Sequence, residues 1–314
     1  MTKRKTISVL TPCYNEAENV ENLYLAVKKI FQDIGRYDYE HIFIDNCSTD
    51  RTVPILKTLA SKDKNLKIIV NIRDFGQVKS PVYGLMQTSG DAAIYLVSDF
   101  QDPLELINQF VKKWEEGFDI VIGIKKKSAE NPILFLFRQF YYNLLKKLSE
   151  TDHIKNFTGF GLYDRKFINI LRRLDDPVPY FRGLVAELGF NRVEIEYNQP
   201  KRRAGKTQNN FYTLYDIAML GFVNHTKIPL RLASFVGFTI ATGNLIAAFV
   251  YLIFKLIYWN EFDVGMAPLV IGVFFFSAVQ LFFIGIIGEY IGAIYTQVKR
   301  RPLVIEKERI NFDK

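Results

Sequence analysis

Two apolar stretches constrain this 314-residue chain more than anything else in it. Leu232–Trp259 carries one charge, Lys255, and Met266–Tyr295 carries only Glu289, each near the far end of its stretch. Each stretch exceeds the ~20 residues needed to cross a ~30 Å hydrocarbon core. A helix that is apolar on every side belongs in lipid, with Lys255 long enough to snorkel to the interface. Arg231 precedes the first stretch, Lys299, Arg300 and Arg301 follow the second, and the joining segment Asn260–Gly265 has Glu261 and Asp263 but no basic residue. That bias predicts a two-helix hairpin with both chain termini on the cytoplasmic face. Gly288 and Gly292 form a GxxxG pair, which predicts close helix–helix contact there.

The chain ahead of the hairpin reads differently. Thr6–Thr11, Glu40–Asp45, Leu66–Asn71, Ala92–Val97 and Asp119–Gly123 read as strands. Between them lie helical patterns at Ala17–Phe31, Thr52–Ser61, about Val78–Thr88 and Pro103–Glu116. Strands separated by helices of this length predict a parallel, doubly wound α/β sheet. Pro132–Leu148 and Phe211–Val223 read as aromatic, amphipathic helices flanked by basic residues, suited to the bilayer interface. Asn156–Leu162 reads as a polar glycine-containing loop near the site, Arg192–Tyr197 as a strand, and Lys201–Thr207 as a basic loop. The expected organisation is a catalytic domain over 1–230, two membrane helices over 231–298 (about 232–259 and 266–295) and a cytoplasmic tail over 299–314.

Charge and cysteine usage narrow the function classes. Lys and Arg outnumber Asp and Glu by 41 to 33, a net charge of +8, which favours anionic partners. No zinc-finger spacing or RNP-like signature is present, so nucleic acid is not the expected partner. Cys13 and Cys47 each fall at a strand end without metal-type spacing, as reduced cytosolic thiols do. Met1–Lys5 lacks the apolar core of a signal peptide.

Ligands of open α/β sheets gather at the carboxyl ends of the strands. The first strand–helix connection, Thr11–Asn19, contains no glycine, and no Walker-type GxxxxGK[ST] occurs. Both facts argue against dinucleotide enzymes and P-loop NTPases. The connections offer instead Asn15, Glu16, Asp45, Asn46, Asp50, Asp99, Gln101 and Asp102. An acidic edge of this kind binds phosphates through a hard divalent cation held by one or two carboxylates.

These residues carry a resemblance. Pro12-Cys13-Tyr14-Asn15-Glu16-Ala17-Glu18-Asn19 is similar to a PxYNExxN motif, Ile44–Asp50 to VDDGSxD, Ser98–Pro103 to AD-x-QDP, and Arg202–Thr207 to R-x-x-G-x-S/T. In that order, with Gly288–Gly292 and Arg301-Pro302, they resemble the family 2 glycosyltransferases of GT-A fold, in the polyprenyl-phosphate branch that includes dolichol-phosphate mannose synthase and the bactoprenol glucosyltransferases. The resemblance implies inverting transfer of a sugar, glucose by preference, from a UDP-sugar to a polyprenyl phosphate such as undecaprenyl phosphate, at the cytoplasmic face of a bacterial-type inner membrane. It implies that Pro12, Tyr14, Glu16, Asp45 and Asp50 surround the nucleotide and that Asp99 and Gln101 bind Mg²⁺ or Mn²⁺. Asp102 would act at the sugar or behind the metal ligands, and Asn156 would stand at the position of the candidate base. Arg202, Arg203 and Lys206 would bind phosphate, with the lipid phosphate preferred. Membrane lipids and a second copy of the chain are further expected partners.

The chain departs from the pattern at Val97, where the family has the first aspartate of DxD, at Asn46, where it has the second of VDD, and at Asn156, where dolichol-type members have Asp. Val97 and Asn46 keep open a catalytically weak or inactive scaffold that binds a nucleotide sugar. A processive polysaccharide synthase is disfavoured, since neither a QxxRW motif nor a multi-span channel is present.

Overall fold

The computed structural model describes residues 4–126, 154–200, 219, 226–258, 266–299 and 301–312. The expected helices at Pro132–Leu148 and Phe211–Val223 and the basic loop with Arg202, Arg203 and Lys206 lie outside these residues. Strands β1 (Thr6–Cys13), β2 (Asp38–Asp45), β3 (Leu66–Asn71), β4 (Ala92–Tyr95), β5 (Ile120–Lys125), β6 (Phe157–Asp164), β7 (Arg192–Tyr197) and β8 (Glu306–Ile310) form one sheet in the order β7-β5-β6-β4-β1-β2-β3-β8. β6 runs antiparallel to both its neighbours and β8 antiparallel to β3; every other pairing is parallel.

Helices cover both faces, which is why the central strands are apolar on both sides. On one face α1 (Val20–Ile34), α2 (Thr52–Ala60) and α4 (Leu106–Glu115) bury Leu23, Val27, Phe31, Leu56, Phe110 and Trp114 against the sheet. On the other, α3 (Gly76–Met86), α5 (Arg165–Arg173) and α6 (Phe181–Glu187) bury Val82, Leu85, Phe167, Leu171 and Val185.

The expected loop over Asn156–Leu162 is instead the start of β6. Its glycines serve close packing: a Cβ on Gly161 would lie 2.5 Å from the Val121 carbonyl, and Gly159 takes φ +106° beneath Tyr95. The C-terminal tail is likewise not a free tail, because β8 covers the β3 edge. Asn311 closes this docking by donating to the carbonyls of Ala60 and Leu66, both at 2.8 Å. α1 begins at Val20 rather than Ala17, since Glu16–Asn19 form a turn closed by Asn19 N donating to Glu16 O at 2.9 Å. α4 begins at Leu106 rather than Pro103, and β4 ends at Tyr95 rather than Val97.

Helices α7 (Ile228–Ile257) and α8 (Met266–Val298) are long and apolar enough to cross a membrane. Their 30 and 33 residues rise about 45 and 50 Å, more than a hydrocarbon core requires. Their large side chains point away from the protein, Phe238 and Phe274 being about three-quarters exposed. An apolar surface of that extent needs a non-aqueous environment. Gly288 and Gly292 face open space, so the expected close contact at the GxxxG pair is not made with α7. The hairpin meets the folded domain at the carboxyl end of α8, where Gln297 Nε2 donates to Asp176 Oδ1 at 3.0 Å, and Tyr290 OH donates to the carbonyl of Thr226, just ahead of α7, at 2.7 Å.

Candidate active site

The connections after β1, β2 and β4 share the carboxyl edge of the sheet, and the first two are locked together. Asn15, held at φ +54°, accepts through Oδ1 from the amides of Thr49 at 2.8 Å and Asp50 at 3.3 Å. Its own amide donates to Ser48 Oγ at 2.8 Å. Asp50 uses both carboxylate oxygens within the protein: Oδ2 accepts from Ala17 N at 3.1 Å, and Oδ1 from Thr52 N at 2.9 Å. Partial burial opposes ionisation of Asp50, but these bonds outweigh it and hold the carboxyl below its ordinary range. The structure thus places Asp50 as the clasp between the two loops. Glu16 sits beside it, its amide donating to Thr52 Oγ1 at 2.9 Å and its Oε2 accepting from Asn19 Nδ2 at 2.6 Å.

Asp45 closes β2 and is fully buried, with Oδ2 accepting from Ser48 N at 2.9 Å and Oδ1 from Ser48 Oγ at 2.5 Å. Burial raises its pKa against the pull of those bonds. Pro12 and Tyr14 lie half-buried at the adjoining end of β1, which runs in register with Ile44 and Asp45. Asn46 turns away toward the third connection: its Oδ1 accepts from Asn71 Nδ2 at 3.0 Å and Phe75 N at 2.9 Å, and its Nδ2 donates to the Asp74 carboxylate. An amide can donate and accept at once, which an aspartate in its place could not do.

The connection after β4 is the most desolvated part of the edge. Ser98, Asp99 and Asp102 are buried, and Phe100 is held at φ +58°. Asp99 Oδ1 accepts from the Gln101 amide at 3.1 Å. Asp102 accepts from Val97 N at 3.5 Å and from the Tyr197 hydroxyl at 2.9 Å. Burial pushes the Asp102 carboxyl up to about 6, opposed by the Lys125 charge and the Tyr197 bond. Tyr197 comes from β7 and reaches Asp102 although β5 and β6 intervene. Gly123 of β5 makes the path: a Cβ there would meet Phe160 Cδ1 at 2.8 Å and Tyr197 Cε1 at 3.0 Å. Phe160 then supports the tyrosine ring edge-on, with centroids 5.7 Å apart. Burial, and then the charge of Asp102, raise the Tyr197 pKa well above its ordinary value.

Tyr197 and Lys125 are functional candidates that the sequence reading missed. Their signal is positional, since each closes a strand, RVEIEY and IVIGIK, at the carboxyl edge. Asn156 arrives at the same edge because β6 begins there; it is held at φ +57°, its carbonyl accepting from Lys125 N at 3.3 Å. Asn15, Cys47, Phe100 and Asn156 are four of the six non-glycine residues with positive φ among the described residues, and all four lie on these loops. Such conformations cost of order 1–3 kcal/mol each and persist where the surroundings over-determine them, often at functional sites. His41 is excluded from acid–base work: it is a core residue whose pKa burial pushes down to about 3.

Among the described residues no group of three or more His, Cys, Asp and Glu side chains could hold a metal ion. The donors present, the Asp99 carboxylate and the Gln101 carboxamide, are hard oxygens. They fit a cation such as Mg²⁺ that takes its remaining ligands from a bound diphosphate.

This acidic, glycine-poor edge lies at the carboxyl ends of a doubly wound sheet, where enzymes of this architecture bind their ligands. The family model for Glycosyl transferase family 2 matches residues 8–185. An uncharacterized glycosyltransferase, YkcC, of Bacillus subtilis (strain 168) is 31% identical over 314 residues, covering 100% of this chain and 97% of the relative. A bactoprenol glucosyl transferase of Shigella phage SfII is 30% identical over 303 residues, 96% of this chain and 97% of the relative. The crystal structure of mannosyl-3-phosphoglycerate synthase from Rubrobacter xylanophilus superposes with a TM-score of 0.51 at 13% identity, covering 70% of this chain and 72% of that one, a likeness in fold. The chain belongs to glycosyl transferase family 2 and is a glycosyltransferase with the GT-A architecture.

Proposed function

We propose that the enzyme transfers a sugar, glucose by preference, from a UDP-sugar to a polyprenyl phosphate such as undecaprenyl phosphate, with inversion, at the cytoplasmic face of a bacterial inner membrane. What carries this reading is the match of one continuous chain, catalytic edge and membrane hairpin together, to proteins named bactoprenol glucosyl transferase. Nucleotide would lie along Pro12, Tyr14, Glu16 and Asp45, with Asp50 holding the loops that shape its pocket. Asp99 and Gln101 would hold Mg²⁺ or Mn²⁺. When bound, that cation supplies Lewis-acid neutralisation of the charge developing on the departing UDP.

The rest of the chemistry falls to the chain and the acceptor. A phosphate monoester has a second pKa near 6 and is largely dianionic at neutral pH. It can attack the anomeric carbon directly, forming a new C–O bond as the bond to UDP breaks and UDP leaves with the electron pair. No strong base is needed, which is consistent with an amide, Asn156, at the position where relatives of the dolichol type carry a carboxylate. Asp102, fixed by Tyr197 and Val97 N, orients the loop that carries Asp99 and Gln101. Arg202, Arg203 and Lys206 would engage the lipid phosphate, the guanidinium groups by bidentate contacts. Both ends of the hairpin would lie on the catalytic side, since β8 returns the chain to the sheet.

Incubating membranes containing the enzyme with undecaprenyl phosphate and a panel of labelled UDP-sugars tests the reading. Lipid-linked label from one donor supports it; no label from any donor, with Mg²⁺ or Mn²⁺, contradicts it. Val97 and Asn46 favour a second reading, an inactive scaffold. In that case Asp99→Ala would change nothing measurable in turnover.

A further inference from the structure

Away from α7, α8 and the adjoining Tyr258, four large apolar side chains are exposed among the described residues: Leu25, Ile72, Leu174 and Ile305. Two of them lie at the carboxyl edge: Ile72 follows β3 and Ile305 precedes β8, whereas Leu174 caps the carboxyl end of α5. Ile72 and Ile305, 55% and 51% exposed, are paired neighbours, with Ile72 N donating to the Ile305 carbonyl at 3.0 Å.

Cations lie close to this pair along the chain, Arg73 next to Ile72 and Arg301 four residues before Ile305. The Arg73 guanidinium lies 4.1 Å from the centre of the Phe75 ring. Burial, together with the positive charges of Arg73 and Arg301, holds the Lys79 ammonium below its ordinary pKa. The nearby Asp74 carboxylate is engaged by Asn46 and by the Gly76 amide at 2.7 Å. Asp175 and Asp176 border the Leu174 end, so net positive charge concentrates at the Ile72–Ile305 end. α8 itself meets the Leu174 end, where Gln297 is bonded to Asp176 in the α5–α6 connection, and residues 301–305 carry the chain from there to Glu306, which pairs with Asn71 at the end of β3.

Two exposed isoleucines with arginines and a lysine nearby, on the segment that follows a membrane helix, have the composition of surfaces that sit in a headgroup layer. We propose that the surface formed by Ile72, Ile305, Arg73, Lys79 and Arg301 rests in the anionic headgroup layer of the bilayer that α7 and α8 cross. This rests on the membrane hairpin of the proposed function and adds which face of the catalytic domain meets the lipid. The consequence is that the donor loops face the membrane, and a lipid phosphate has only to rise from the headgroup layer to reach them.

The test uses the full chain in nanodiscs of phosphatidylcholine alone or with phosphatidylglycerol added. In a Cys47→Ser background, with Cys13 left buried, single cysteines at Ile72, at Lys62 on the opposite edge, and at Phe238 in mid-α7 carry an environment-sensitive fluorophore. Expected are blue-shifted emission at 72, quenching there by headgroup spin-labelled lipid at least twofold greater than at 62, and a further rise with phosphatidylglycerol. Combining Arg73→Gln, Lys79→Gln and Arg301→Gln should return quenching at 72 to its phosphatidylcholine value while leaving quenching at 238 by tail-labelled lipid unchanged. Quenching at 72 equal to that at 62, with 238 still quenched, overturns the proposal and leaves the hairpin standing. Absence of quenching at 238 overturns the hairpin, and the proposal with it.

Discussion

Replacing Tyr197 by Phe removes a contact that ties the far side of the sheet to the loop carrying Asp99 and Gln101. The ring would keep its place across Gly123 and against Phe160, so what is lost is the hydroxyl with its 2.9 Å bond to the buried Asp102 and its contact with the Thr158 hydroxyl. A hydrogen bond to a charged group contributes about 1.5–3 kcal/mol. If that energy orients the loop during transfer, turnover falls by roughly ten- to a hundred-fold, at about 1.4 kcal/mol per decade. KM for the sugar nucleotide should change less, because Tyr14, Glu16 and Asp45 are untouched. The assay is steady-state transfer by the parent, Tyr197→Phe, Asp102→Ala and the double variant. Because Tyr197 acts through Asp102, the second substitution should cost little once the first is made. Turnover by Tyr197→Phe within twofold of the parent, or fully additive losses in the double variant, would refute the reasoning.

Other outcomes follow from the same geometry. The folded pKa of Asp102, about 6, exceeds its unfolded value near 4, so the folded state binds more protons between those limits and stability falls as pH rises through that window. Denaturant titration of metal-free Asp102→Asn should therefore show a gain of order 2–3 kcal/mol over the parent at pH 7.5 that disappears at pH 4. Cys47 stands at φ +69°, where the family motif has glycine, so Cys47→Gly should shift the urea midpoint upward by a change of about 0.5–1 kcal/mol. At the opposite edge Lys67 Nζ pairs with buried Glu40 at 2.6 Å, and Lys67→Met should cost about 3–5 kcal/mol by leaving that carboxylate unpaired. Donor affinity, measured by UDP binding, should not change in that variant.

The parallel core was legible because buried strands such as Ala92–Tyr95 and Leu66–Asn71 are apolar on both faces, and their helices carry a single apolar stripe. β6 was hidden by Gly159 and Gly161, which read as loop residues but serve close backbone approach. β8, with the sequence EKERI, has too little apolar character to announce a strand; it is an edge strand fixed by Tyr83–Glu306 and Lys57–Glu308 contacts across more than 200 residues. The acidic edge was visible from residue types after each strand, yet the division of labour within it was not. Asp50, expected near the nucleotide, and Asn46, a departure from the family pattern, also bind other loops, because their partners, Ala17, Asn71 and Phe75, lie on connections that only the folded sheet brings together. The Tyr197–Asp102 contact needed the strand order and the Gly123 gap, neither of which local sequence encodes.

Transfer to a lipid phosphate at the carboxyl edge should depend on Asp99. Purified parent and Asp99→Ala enzymes, incubated with labelled UDP-glucose, undecaprenyl phosphate and Mn²⁺, measure that directly. Lipid-linked glucose formed by the parent, and reduced at least a hundred-fold (~2.7 kcal/mol or more) in the variant, is the predicted result. Equal product from both enzymes would contradict it.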